Sequence, residues 1–142
     1  MTNAHALYPA AILEHHRAPK NEGALDHPTH EARLDNPLCG DRVTLHLRID
    51  EGHIREVRFA CKGCTISRAS ASILTEAILG QSTTEAAALI QRVHALAAGR
   101  DVDAPDLGPL DPLRSIGSFP GRKRCATLAW EVLDLALGTG VT

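Results

Sequence analysis

From position 42 onward the sequence RVTLHLRID alternates strictly. Val43, Leu45, Leu47 and Ile49 point one way, and Arg42, Thr44, His46 and Arg48 the other. A period of two predicts a strand with one buried face. DEGH then supplies turn residues, and IREVRFAC returns with Val57, Phe59 and Cys61 on one face and Arg58 on the opposite one. The turn is short, so the two runs predict an antiparallel hairpin. EARLDN, just before, reads as a weaker third strand.

At Thr65 the period changes. Ile66, Ala69, Ile73, Leu74 and Ala77 fall on one helical stripe that Gly80 ends. Ser82 and Glu85 have the spacing of a capping box. The helix they open carries Ala86, Leu89, Ile90, Val93 and Leu96 inward and stops at Gly99. A last helix from about 121 to 137 places Cys125, Leu128, Ala129, Val132 and Ala136 on one face. An N-terminal helix is expected over residues 7–18, closed by Pro19, with a loop to follow. The stretch 99–120 is dense in proline and glycine and reads as a loop, with room for a single turn near PLRSIG. Helix, strands, then helices predict an α+β fold with an antiparallel sheet rather than a βαβ alternation.

The bulk composition narrows this little further. A chain of 142 residues suits one domain, taken as 1–142. With 44% apolar but only 3% aromatic residues, the core must be aliphatic. A net charge of -2 gives no reason to expect nucleic acid as a partner. No apolar run approaches the ~20 residues of a membrane span, and the first twenty positions lack the layout of an export signal. A reducing, cytoplasmic setting follows, in which cysteines serve as metal ligands or reactive thiols more often than as disulfides.

The four cysteines, Cys39, Cys61, Cys64 and Cys125, each lie at the edge of an element. Asp41 follows Cys39 by two residues, so in an extended segment both side chains project to the same side. Three sulfurs and a carboxylate oxygen would suit tetrahedral zinc. The pair Cys61 and Cys64 also has the C-x-x-C spacing of a redox dithiol at a strand-to-helix junction. The antiparallel hairpin before it argues against the thioredoxin context, and Cys61 shares its face with Val57 and Phe59, where it would pack. The eight histidines show no ligand spacing. His15 and His16 read as structural or interfacial, and the rest, His46 included, as solvated.

Three ordered motifs, NPLCGD, GCTISRASASIL and GRKRCATLAW, together with the N-terminal LYPAAILEHHRAPKNEG, carry a resemblance across residues 7–137. The chain resembles the IscU/SufU (NifU N-terminal-like) family of iron–sulfur cluster assembly proteins. That resemblance implies a SufU/IscU-like fold, a small three-stranded antiparallel sheet packed with helices. It makes Cys39, Asp41, Cys64 and Cys125 the metal-binding set and Cys39 the sulfur acceptor, and it leaves Cys61 matching no ligand position. The scaffold branch, IscU, has a histidine immediately before the last cysteine; here Arg124 stands there. The SufU branch has a basic residue at that position and an insertion between the second and third cysteines, which residues 99–120 resemble. The SufU branch implies a zinc-dependent sulfurtransferase. Its partners would be a SufS-type cysteine desulfurase and downstream cluster-assembly proteins. The alternatives are a scaffold holding an iron–sulfur cluster on the same thiols and, behind it, a thiol oxidoreductase using Cys61 and Cys64.

Overall fold

The hairpin expected from the alternating pattern forms the centre of the sheet. In the computed structural model, which describes residues 10–37, 40–100, 106–114, 116 and 120–139, β1 (His30–Asn36), β2 (Asp41–Asp50) and β3 (His53–Lys62) pair antiparallel in that order. Val43, Leu45, Leu47, Val57 and Phe59 are fully buried on the inner face. The outer face is polar, with ion pairs directly across the ladder from Asp35 to Arg42 and from Arg48 to Glu56, and with Glu31 beside the His46 ring nitrogen Nε2 at 3.3 Å. EARLDN is thus a full edge strand.

The inner face is covered by α2 (Thr65–Ile78) and α4 (Lys123–Thr139), with α2 against β3 and α4 across β1 and β2. α3 (Thr83–Ala97) packs on α4, and α1 (Ala10–Arg17) on α2. Residues 7–9 of the expected first helix lie outside the described residues. Each of the five positions named on the α4 face is buried, Cys125 among them. α2 is buried almost all round, and its alanines and serines let α4 approach closely. Its buried hydroxyls are satisfied: Ser70 donates to the Ala126 carbonyl at 2.6 Å and accepts from the Trp130 indole at 3.1 Å. The capping box at Ser82 and Glu85 forms in full, with both reciprocal hydrogen bonds present.

Two expectations need correction. The stretch 99–120 is not simply a loop. Residues Gly108–Leu113 form a 3-10 helix against α1, α2 and α3, which runs into the turn expected at PLRSIG. Leu107, Leu110, Leu113 and Ile116 are all buried. Their spacing of three is the period of a 3-10 helix, in which residues i and i+3 eclipse, so one apolar edge enters the core despite the prolines. His46, expected to be solvated, accepts a hydrogen bond at Nδ1 from the Leu25 amide at 3.0 Å and anchors the loop between α1 and β1. His15 is structural, as expected: its Nδ1 lies 2.7 Å from Ser72 Oγ, which also accepts from the Lys20 amide.

Candidate metal centre

One end of the sheet gathers chemistry from three separate elements. Asp41 is the first residue of β2 and continues its inner face one step beyond Val43, which leaves the carboxylate 3% exposed. Cys64 is the N-cap of α2. Cys125 lies in the first turns of α4, on the apolar stripe. An Asp41 oxygen and the sulfurs of Cys64 and Cys125 all lie within 4.8 Å of one another. Cys39, expected beside them, lies outside the described residues.

The turn between β3 and α2 is built around Asp41. The Cys64 amide donates to Asp41 Oδ1 at 3.2 Å. Gly63 makes that approach sterically feasible: a β-carbon there would stand 2.6 Å from Asp41 Oδ1 and closer still to Ser67 Oγ. The glycine in ACKGC is therefore required by close packing.

The electrostatics of the cluster are unfavourable without a cation. Asp41 Oδ2 is buried and has no hydrogen-bond partner among the described residues, a costly arrangement for a carboxylate. Burial, together with the neighbouring Cys64 and Asp41, pushes the Cys125 thiol up to about 12. A divalent cation inverts both effects, giving the orphaned oxygen a partner and drawing the thiols into thiolates. Metal–ligand bonds of about 2.0–2.3 Å are compatible with a single ion shared by all three groups. The residues thus fit a metal of the thiolate-binding kind, to which Asp41, Cys64 and Cys125 contribute one donor each. A cavity of about 230 Å³, lined by Asn36, Pro37, Gly40, Asp41, Arg42 and Lys62 among others, opens beside Asp41.

Two nearby residues stay out of the ligand cluster. Arg124, next to Cys125, directs its guanidinium to Glu131 two turns along α4, at 3.3 Å. Cys61 packs against the core from β3, as its parity with Val57 and Phe59 predicts. Its thiol donates to Ser67 Oγ at 3.8 Å, and burial pushes it up, away from the depressed range of a reactive thiolate. Ser67 itself, buried on the first turn of α2, is the residue that sequence reasoning missed. A hydroxyl three positions after Cys64 was the available signal.

Comparison with known proteins agrees with this geometry. The NifU-like N terminal domain family matches residues 7–139. The chain belongs to this family. The iron–sulfur cluster assembly scaffold protein IscU of Streptococcus pyogenes serotype M1 is 39% identical over 92% of this chain and 82% of its own length. The zinc-dependent sulfurtransferase SufU of Bacillus subtilis strain 168 is 35% identical over 93% of this chain and 90% of its own. The crystal structure of a protein assigned to scaffolding in the SUF system of Fervidobacterium islandicum AW-1 superposes with a TM-score of 0.86. It is 30% identical, covering 95% of this chain and 99% of that one. Fold and family therefore place this protein in IscU/SufU-type iron–sulfur cluster assembly. Among the described residues, no helix is long and apolar enough to cross a membrane.

Proposed function

We propose that this protein is a zinc-dependent sulfurtransferase of iron–sulfur cluster biogenesis, working in the cytosol with a SufS-type cysteine desulfurase. The observation that carries this reading is the donor set. Two thiols and a carboxylate oxygen of the buried Asp41 converge, with Arg124 turned to Glu131 where the scaffold branch has histidine. The 35% identity to a zinc-dependent sulfurtransferase supports it, as does the resemblance of residues 99–120 to the insertion of the SufU branch.

In this reading Cys39 is the fourth metal-site residue and the sulfur acceptor. Its thiolate attacks the outer sulfur of the desulfurase persulfide. A new S–S bond forms on Cys39, the partner's S–S bond breaks, and the partner leaves as a thiolate. Zinc, when bound, supplies charge neutralisation for the thiolates and no redox chemistry of its own. Asp41 is fixed by the Cys64 amide, so the carboxylate keeps its place while Cys39 reacts. A partner's loop would approach beside Asp41, where a cavity lined by Asn36, Arg42 and Lys62 among others lies. Downstream cluster-assembly proteins then take the sulfur.

The scaffold reading rests on the 39% identity to an IscU and on the same thiols, which would then hold an iron–sulfur cluster. Metal analysis of protein purified without oxygen separates the two. One zinc per chain supports the sulfurtransferase, and iron with labile sulfide the scaffold. Incubation with desulfurase and cysteine should load a persulfide that mass spectrometry locates on Cys39. Cys39→Ser should abolish acceptance, and retained transfer by that variant would overturn the assignment.

A further inference from the structure

Cys61 and Ser67 have no part in the ligand cluster, yet they form a short hydrogen-bond chain that ends on it. Ser67 Oγ is fully buried and lies 3.0 Å from the Cys64 carbonyl oxygen, 3.7 Å from Cys64 Sγ and 3.8 Å from Cys61 Sγ. A hydroxyl has one proton to give and two lone pairs to fill. Cys61 S–H donates into one lone pair, so the hydroxyl proton is directed away from Cys61 and toward Cys64. Both acceptors there belong to the same residue. When Cys64 is a thiolate, its sulfur is the charged acceptor, and hydrogen bonds to charged acceptors are the stronger kind.

We propose that Ser67 is a positioning residue of the metal centre, donating to the Cys64 sulfur, and that Cys61 orients the Ser67 hydroxyl for that role. This rests on the zinc reading above. The hydrogen bond fixes the Cys64 side chain at the head of α2 and withdraws charge from its sulfur. Outer-shell partners of metal ligands act in this way. Cys61 is then neither a ligand nor half of a dithiol but the far end of a three-residue relay. Gly63 belongs to the same construction, because a β-carbon there would displace the Ser67 hydroxyl.

The test is zinc affinity of the full chain, measured by competition with a chromophoric chelator, beside the charge-transfer band of the cobalt(II)-substituted protein. Ser67→Ala should keep one metal per chain but bind it about 10–100-fold more weakly, with the sulfur-to-cobalt band moved to lower energy. Cys61→Ala should give a smaller loss in the same direction. Cys61→Ser, whose hydroxyl sits on a shorter bond and falls out of reach of Ser67 Oγ, should show the same loss as Cys61→Ala. If Ser67→Ala folds poorly, the Cys61 pair decides the question. Equal affinity and an unmoved band in wild type, Cys61→Ala and Cys61→Ser would overturn the inference. A wild-type protein that takes up no zinc would overturn the metal reading itself, and this inference with it.

Discussion

The two ends of the β2–β3 hairpin obey opposite rules. At the turn end, Glu51 and Gly52 both adopt positive φ, 53° and 77°, as a two-residue hairpin turn demands. The backbone there is closed locally: Ile54 donates to Gln81, Gly80 to Ile54 and Thr83 to Gly52. The Ser82–Glu85 box satisfies the head of α3. At the other end, a buried carboxylate oxygen has no partner among the described residues and a buried thiol is driven up to about 12. One end is complete in protein alone. The other leaves acceptors and thiols unfilled among the described residues, and that contrast locates the site more sharply than any single residue does.

The largest expected break in this contrast is removal of the metal. Structural zinc contributes about 10–16 kcal/mol of apparent binding energy in small domains, so chelation should lower Tm by about 20 °C or more. Calorimetry before and after dialysis against chelator measures this. An unchanged melt would mean that the site end is as self-sufficient as the turn end. Next comes Gly63→Ala. Its β-carbon must displace Asp41 or Ser67, at a cost of about 1–3 kcal/mol by overpacking, and the metal content should fall with stability. Ser82→Ala acts at the opposite end. It should cost about 1 kcal/mol in chemical denaturation while leaving metal content untouched, and a loss of metal there would show that the ends are coupled.

The smallest effect is one of pH. Burial, ahead of opposing attraction from Glu76, holds His15 below its usual value of 6.5. The unfolded chain therefore binds the proton more readily than the folded one. The stability tied to neutral His15 is present above pH 6.5 and is lost as pH falls through its lowered value. Melting curves of metal-free protein from pH 7.5 down to 5 should decline less steeply in His15→Gln than in wild type.

Much of this was legible beforehand because it is periodic. The alternation in β2 and β3, the stripes of α2 and α4 and the spacing of Ser82 and Glu85 all repeat at the periods of their elements. Each was read with boundaries close to those observed. The metal cluster was legible residue by residue only through family resemblance, since no spacing in the chain reveals that Cys64 and Cys125 approach across α2 and α4. Asp41 was half visible: its two-residue offset from Val43 sets the inward face, but a charged residue at a strand start is more often solvated. His46 was misjudged because parity reports which side of a sheet a residue faces, not that a loop amide waits there. The buried edge of the stretch 99–120 escapes a reading from sequence because prolines and glycines outweigh a three-residue apolar repeat that is rarer than either helical or strand periodicity.

That repeat has a consequence for how the chain tolerates change in length. Surface connections can ordinarily be shortened at little cost, because they bury little of themselves. Here Leu107, Leu110, Leu113 and Ile116 are buried where the 3-10 helix meets α1, α2 and α3. Excising 107–116 would uncover apolar surface on three helices at once. Shortening this chain there would therefore call for larger side chains in the helices beneath it.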